Sequence, residues 1–391
     1  MSDVFYKFRG VYLFLLFFCS SYALYDGLSF GSLGGDFSGY RIENGSIYIL
    51  CFCLLIGLYV LFDLVFYFAL RVFYKENVLK VNYIRANTGL YVLIFQLFYY
   101  IYNQYYGVNV AGVIGTTSNP VKYIFLIINP DYLCLIYLSV TLLYSNKKKF
   151  FYSNLLIYVV STLSRGWLGG LAFICLTFLI YLISRKKFKY IFVIIIFSVL
   201  LAALSPWLFA VREAIRTGNE LVLDWNNYID FIRVFIDKII FRFQSLSSLY
   251  YVMANFDNLN YYEIQPAYMQ GVIQSSIYRT FDAEGLPIAN ILSLLWLGET
   301  GRNTAFTSTM LPYLALSPSN LILTIFYAFF CLFLSVFISS RFKGSGVDYL
   351  IWYYFITYFI NGWFAAYISF LITIVFFMFF SKKYKLRSLN I

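Results

Sequence analysis

The stretch Ile47–Leu70 reads IYILCFCLLIGLYVLFDLVFYFAL and holds a single charged residue, Asp63. A helix over this run would be about 36 Å long, which exceeds the roughly 30 Å of hydrocarbon in a bilayer. Since a chain in lipid has to satisfy its backbone hydrogen bonds internally, the run predicts a transmembrane helix. The carboxylate of Asp63 is costly in such a helix, so we expect it to pair with a tyrosine hydroxyl or a neighbouring cation.

Comparable apolar runs recur along the whole chain of 391 residues, of which 61% are hydrophobic and only 12% are charged. This composition leaves too little polar surface for a soluble protein. We therefore predict an all-α polytopic membrane protein with about 10–12 transmembrane helices. The first run follows two cations, as a signal peptide would, but the many later spans favour a retained helix. The further runs are Val11–Leu24, Leu90–Tyr105, Tyr123–Tyr144, Phe150–Leu163, Trp167–Ile183, Tyr190–Ala210, Asn320–Ile338, Tyr349–Ile360 and Trp363–Phe380.

The basic residues lie mostly in short clusters at the borders of the apolar runs. The formal net charge is +11, but this arrangement is typical of topology signals and does not indicate a nucleic-acid partner. It predicts that both termini and the basic clusters are cytoplasmic. The clusters include Lys7 with Arg9, Lys147 to Lys149, Arg185 to Lys189, Arg341 with Lys343, and Lys382 to Arg387.

One long polar segment, Val211–Ser319, interrupts the apolar pattern and holds ten of the 18 acidic residues. Loops of this length are usually functional. We expect one integrated membrane domain in three parts: an N-terminal bundle at 1–210, an external loop at 211–319 and C-terminal helices at 320–391. Within the loop, residues 230–239 have the spacing of an amphipathic helix. The run Ile288–Leu297 is too short to span and is expected to dip into the membrane and return.

The chain contains no histidine, so the commonest general base is absent. Its six cysteines lie inside apolar runs without ligand-like neighbours, and we interpret them as packing residues. Nothing in the sequence requires a metal or a soluble cofactor. Any catalysis then depends on carboxylates, tyrosine, lysine or arginine.

Two short motifs place charge at the ends of apolar runs. Arg165, in Ser164-Arg165-Gly166, stands where two runs meet, and a guanidinium at a membrane edge suits a phosphate-bearing ligand. Asn129-Pro130-Asp131 begins another run, with proline at a first-turn position that tolerates it. This motif indicates either a helix start or kink, or a functional site. A carboxylate near membrane depth needs a partner, and both Lys122 and Arg165 are candidates for Asp131.

The order of these motifs resembles the core of the O-antigen polymerase and ligase superfamily. The resemblance covers 119–189: Asn129-Pro130-Asp131, an apolar helix, a lysine cluster, a second helix, Ser164-Arg165-Gly166 and a third helix. The long loop and the C-terminal spans match only in layout. The family has an Asn-Pro-Asn-type start, so Asp131 departs from its pattern and leaves the role of that position open.

The resemblance implies a fold similar to the lipid-dependent membrane glycosyltransferases, called GT-C-like, in the bacterial inner membrane. It also implies an active site facing the periplasm, where undecaprenyl-diphosphate-linked glycans serve as donor and acceptor and a chain-length regulator is a partner. The family's ligases usually carry a functional histidine in the loop, so its absence favours the repeat-unit polymerases. A ligase, and a lipid-linked oligosaccharide flippase or other transporter, remain the alternatives.

The same resemblance assigns roles to individual residues. Arg165 would stabilise the departing diphosphate, with Arg279 as a second catalytic candidate and Asp131 as a candidate base. Other acids, Glu213, Asp282 and Glu299, are equally possible as the base. For any single loop arginine a surface ion pair is the alternative. The residues expected to bind diphosphate or glycan are Arg242, Arg212, Arg216 and Lys122.

The predicted orientation is testable with single cysteine replacements at Lys148 and Asp257. A membrane-impermeant thiol reagent should label Asp257→Cys from outside and Lys148→Cys only after the membrane is opened, because the positive-inside pattern places them on opposite sides. The same accessibility for both positions would contradict the orientation.

Overall fold

The computed structural model of this chain describes residues 3–73, 83–84, 87–107, 119–144, 149–165, 169–184, 243–270, 285–298, 309–315, 321–341, 347–378 and 381–382, with isolated positions between 192 and 241. Most of these residues are helical, in agreement with the predicted all-α class. The helices are α1 (Asp3–Phe30), α2 (Gly45–Val72), α3 (Thr88–Tyr106), α4 (Val121–Ile127), α5 (Pro130–Tyr144), α6 (Phe151–Ser164), α7 (Gly169–Ser184), α8 (Leu246–Ala254), α9 (Phe256–Leu259), α10 (Ile288–Leu297), α11 (Leu311–Ala315), α12 (Leu321–Arg341), α13 (Val347–Tyr354) and α14 (Phe364–Met378).

Short irregular elements join these helices. Two-residue strands, β1 (Tyr83–Ile84) and β2 (Ser381–Lys382), pair antiparallel. Single 3₁₀ turns lie at Gly35–Phe37 and Ala267–Met269. α13 continues directly into a π-helical turn, Phe355–Phe359. The chain then reverses at Gly362, whose φ of 83° lies in the left-handed region that glycine adopts without strain. The helix therefore breaks at Asn361-Gly362, between the predicted runs Tyr349–Ile360 and Trp363–Phe380.

Among the described residues, four helical stretches are long and apolar enough to cross a membrane, which supports the membrane character of the chain. They are Phe5–Phe30, Gly45–Val72, Val121–Leu142 and Leu321–Ser340. Three shorter apolar helices, Phe151–Ser164, Ile288–Leu297 and Phe364–Phe377, accompany them in the described part of the chain.

The third of these stretches is interrupted, because α4 ends at Ile127 and α5 begins at Pro130. The Asn129 side chain caps α5: its Oδ1 accepts hydrogen bonds from the backbone N–H groups of Asp131 at 2.9 Å and Tyr132 at 3.3 Å. Proline in the first turn has no N–H to leave unbonded. The span predicted over Tyr123–Tyr144 is thus two helices, and the helix-start interpretation of Asn129-Pro130-Asp131 is confirmed.

α5 is the centre of the bundle. Its residues Leu133–Leu142 are buried on every side, and it contacts α3, α6, α7, α13 and α14. A helix that is apolar all round is expected in the core of a large bundle. α13 is the second central helix, because it packs between α1, α5, α12 and α14.

Part of the long loop forms a layer against the ends of α1 and α2. Tyr251 of α8 stacks on Phe37 with ring centroids 4.3 Å apart, and Trp296 of α10 packs against the same two rings. The inner face of α10, including Ile291, is buried. Ile288–Leu297 is therefore a short helix packed on protein. Apart from Asp237, the residues 230–239, where an amphipathic helix was predicted, lie outside the described residues.

A buried ion pair ties α1 to α2 and α13. Arg9 donates from Nε to Asp63 Oδ1 at 2.7 Å and from Nη2 to Oδ2 at 2.5 Å, and Trp352 Nε1 donates to Oδ1 at 3.0 Å. The guanidinium also lies 5.0 Å from the ring centroid of Tyr67. The expectation that Asp63 pairs with a cation is confirmed, and its second partner is an indole N–H.

Replacing Asp63 by leucine should lower the free energy of unfolding by about 2 kcal/mol, because it strands the Arg9 guanidinium and the indole N–H. The double variant Arg9→Leu/Asp63→Leu should lose less, since no unpaired charge remains. Thermal unfolding in detergent would measure both, with the exposed Asp257→Leu as control. Equal losses for the single and double variants would contradict this role of the ion pair.

Candidate functional site

The second buried ion pair joins Arg165 and Asp131, two of the residues that the sequence singled out. Arg165 Nη2 donates to both carboxylate oxygens of Asp131 at 2.9 Å. Its Nε donates to the backbone carbonyl of Ser161 at 2.9 Å, and Nη1 donates to the Tyr99 hydroxyl at 3.1 Å. Of the two partners proposed for Asp131, the structure brings Arg165 to it.

Local structure explains why these charges meet. Arg165 is the C-terminal cap of α6, and Asp131 lies in the first turn of α5, so each stands at a helix end. The carboxylate interacts favourably with the positive end of the α5 dipole. The Arg165 side chain folds back onto its own last turn through Ser161. The start of α5, the end of α6 and the folded-back side chain of Arg165 therefore bring the two charges together.

The helices that end beside the ion pair, α4 and α6, are shorter than a membrane span. α6 has 14 residues and is about 21 Å long, which is less than the roughly 30 Å of a hydrocarbon core. α4 has 7 residues and spans only about 10 Å. Irregular backbone at membrane depth persists where it is buried in protein or borders a wet cavity. The ends of α4 and α6 therefore mark an internal polar site.

The two members of the pair differ in exposure. The Arg165 side chain is 1% exposed, while that of Asp131 is 17% exposed. The guanidinium is surrounded by protein groups, and the carboxylate is the member that a ligand can reach. We predicted that Arg165 contacts phosphate; among the described residues its hydrogen-bond partners are Ser161, Tyr99 and Asp131, and the phosphate contact stays a prediction.

Tyr99 of α3 is a site residue that sequence reasoning missed. Its hydroxyl accepts a hydrogen bond from Arg165. Its ring lies against the guanidinium, with 4.9 Å between Arg165 Cζ and the ring centroid. Phe125 of α4 packs on the other side of the site, 4.9 Å from the Tyr99 ring. The sequence contained a signal for this residue, because polar and aromatic residues recur at helical spacing within the apolar run Leu90–Tyr105.

An aromatic floor lies on the opposite side of the carboxylate. Tyr132, next to Asp131, packs edge-on against Tyr354 at 5.2 Å, and Tyr354 stacks on Tyr358 at 4.8 Å and on Phe370 at 3.8 Å. These residues come from α13, the π-helical turn and α14. π-helical turns are frequent at functional sites because they shift the register of side chains on one face. Asp131 therefore adjoins a cluster of packed aromatic rings from α5, α13, the π-helical turn and α14.

The remaining candidates fall into two groups. Lys122, in the first turn of α4, lies with Nζ 5.3 Å from the ring centroid of Tyr123. The loop arginines Arg212, Arg216, Arg242 and Arg279 and the acids Glu213, Asp282 and Glu299 lie outside the described residues. Their predicted roles are untested by the structure.

The contribution of Tyr99 can be separated into its hydroxyl and its ring. Tyr99→Phe should lower the free energy of unfolding by about 1 kcal/mol, because one hydrogen bond of a charged donor is lost. Tyr99→Leu should cost more, since the cation–π contact is lost as well. Thermal unfolding would test this with Tyr152→Phe, an exposed hydroxyl on α6, as control. If Tyr99→Leu had the same free energy of unfolding as the wild type, the assigned contact with Arg165 would be wrong.

Comparisons of the chain with protein-family models, with curated proteins and with solved structures found no significant match. The functional proposal therefore depends on the geometry of the site and on the order of the motifs that build it.

Proposed function

We propose that this protein is an O-antigen repeat-unit polymerase, a membrane glycosyltransferase that joins undecaprenyl-diphosphate-linked oligosaccharides. The observation that carries the proposal is the Arg165–Asp131 ion pair, buried where two short membrane helices end. An ionisable pair at this depth is a functional candidate by default, because charge inside a membrane is costly. The motifs that supply the pair are the ones that resemble the polymerase and ligase superfamily.

The proposed reaction transfers the growing glycan from its carrier to a second carrier-linked repeat unit. The acceptor hydroxyl oxygen forms a bond to the anomeric carbon of the donor sugar. The bond from that carbon to the diphosphate oxygen breaks, and the diphosphate leaves with the electron pair. The hydroxyl proton passes to a base, and Asp131 is our choice because it is the more exposed member of the pair.

Arg165 would contribute to this step in two ways, by orienting the base and by stabilising the leaving diphosphate. Its bonds to both carboxylate oxygens hold the Asp131 carboxylate in one orientation. Nη1 carries two N–H groups and, among the described residues, donates one bond, to Tyr99. In this proposal the second N–H donates to a phosphate oxygen when the carrier displaces the groups that cover the guanidinium. A preorganised donor in a poorly hydrated site stabilises developing negative charge without reorganisation.

The surroundings fit a lipid-bound substrate. The ion pair lies among helices whose outer surfaces are apolar, such as that of α3 with exposed Ile94 and Ile101. Carriers could then approach sideways through lipid, with their sugars beneath the external loop. In this proposal the loop arginines Arg279, Arg242, Arg212 and Arg216, together with Lys122, bind diphosphate or glycan. The site would face the periplasm, with both termini in the cytoplasm and a chain-length regulator as partner.

Arg165→Ala and Arg165→Lys test the proposal in proteoliposomes that contain only the carrier-linked repeat unit. The wild type should build a ladder of chain lengths. Arg165→Ala should lower the rate by roughly 100-fold or more, and Arg165→Lys less, because lysine keeps the charge without the planar geometry. Arg41→Ala, at an exposed position, is the matched control.

Wild-type ladders from Arg165→Ala at equal protein levels would exclude the proposed role of Arg165. A wild-type protein that transfers single units to a different acceptor, without a ladder, would indicate the ligase instead. Movement of the lipid-linked glycan across the membrane without any new glycosidic bond would indicate a transporter.

A further inference from the structure

The buried face of α3 becomes polar toward its C-terminal end. Val92, Gln96, Tyr99 and Asn103 follow at spacings of four, three and four residues, which places them on one side of the helix. Gln96 Nε2 donates to the Pro130 carbonyl at 2.9 Å, and Tyr99 accepts from Arg165. This face therefore meets the start of α5 and the guanidinium of the site.

Asn103 lies one turn beyond Tyr99, about 6 Å farther along the axis of α3. α3 and α6 run side by side in the same direction, since Asn154 contacts Gly89 at one end and Arg165 contacts Tyr99 farther along. Asn103 thus extends past the level at which α6 ends. It stands on the far side of Arg165 from the cytoplasmic ends of these helices in the predicted orientation.

The Asn103 side chain is buried and unbonded. Asn103 is 2% exposed, and neither Nδ2 nor Oδ1 has a hydrogen-bond partner within the part of the chain that the structure describes. Two neighbours on the site share this condition: Gln96 Oε1 and Ser161 Oγ are buried without partners among the described residues. Ser161 is the residue whose carbonyl binds Arg165.

Such groups lower the free energy of unfolding. A buried amide or hydroxyl without a partner loses its hydrogen bonds to water and forms none in their place, and native proteins contain few of them. Five residues of α3 and α6 have such an atom within the described structure, namely Thr88, Gln96, Asn103, Asn154 and Ser161. Three of them, Gln96, Asn103 and Ser161, lie within one helical turn of the residues that contact Arg165, which favours a polar ligand at this point. Packing alone would favour leucine at position 103, which has nearly the same shape.

The mixture of groups indicates the chemistry of the ligand. A phosphate accepts hydrogen bonds only, and would leave Gln96 Oε1 and Asn103 Oδ1 without donors. A hydroxyl both donates and accepts, so a ring that carries several hydroxyls satisfies donors and acceptors together. We propose that Asn103, with Gln96 and Ser161, binds the hydroxyls of the acceptor sugar, and so presents one hydroxyl to Asp131. The inference rests on the proposed function and adds the acceptor subsite to it.

The test separates sugar binding from a structural role. The full-length protein, purified in nanodiscs, is titrated with two probes: the lipid-linked repeat unit extracted from a strain that lacks this protein, and undecaprenyl diphosphate without sugar. Asn103→Leu should bind the repeat unit about tenfold more weakly, because at least one hydrogen bond to the sugar is lost. Its affinity for undecaprenyl diphosphate should equal that of the wild type.

Thermal stability supplies the second readout. Asn103→Leu should unfold at the wild-type temperature or higher, since removing an unpartnered buried amide relieves a cost. Thr324→Val is the matched control: Thr324 Oγ1 on α12 is also buried without a partner in the described structure, and α12 packs against α2 and α13. This variant should bind both probes as the wild type does.

Three outcomes would overturn the inference. Equal weakening for both probes would make Asn103 a phosphate contact. A lower unfolding temperature together with unchanged binding would assign it to internal water or packing. Wild-type affinity of Asn103→Leu for the repeat unit would remove it from the site. If the wild type itself bound neither probe, the proposed function would fail first.

Discussion

The Arg165 side chain is 1% exposed and lies inside a protein made largely of apolar helices. Its charge therefore needs an opposite charge and hydrogen-bond acceptors from the surrounding protein. Asp131 supplies the opposite charge, Ser161 a carbonyl and Tyr99 both a hydroxyl and a ring face. These partners come from α5, α6 and α3. All of these contacts form together in one relative position of the three helices. The interaction therefore places the helix break at Asn129-Pro130 level with the end of α6 at Arg165.

The bundle uses aromatic side chains where a soluble protein would use polar ones. Tyr and Phe contribute 39 and 44 residues to the chain. A tyrosine ring packs like a hydrocarbon and also carries one hydroxyl, so it can supply a hydrogen bond in a membrane without a buried charge. Around the site this yields an apolar floor of stacked rings below Asp131 and a polar face on α3 beside it. Such an arrangement suits a reaction between a lipid-borne diphosphate and a sugar hydroxyl.

Local signals in the sequence predicted several features that the structure contains. Proline after asparagine indicated the start of α5, and the gap between the runs Tyr349–Ile360 and Trp363–Phe380 indicated the break before α14, because both depend on backbone geometry within a few residues. Partners were harder to predict. Asp131 had two candidate cations, and Asp63 had either a hydroxyl or a cation, because the pairs Arg165–Asp131 and Arg9–Asp63 join residues far apart in the chain. Tyr99 and Asn103 escaped notice although their spacing was visible.

The amino-acid sequence by itself determined that this chain is helical, lies in a membrane and breaks its helices at Asn129-Pro130 and near Arg165, because run length, proline and charge act locally. Only the tertiary structure decided which side of each helix faces the core. In α1, Phe8 and Tyr12 are buried while Phe14 and Phe18 are exposed, although all four are aromatic. Lipid and protein core are both apolar, so hydrophobic periodicity does not distinguish them. The site consequently emerges from the packing of α3, α5 and α6, which brings the few polar groups of three helices into contact.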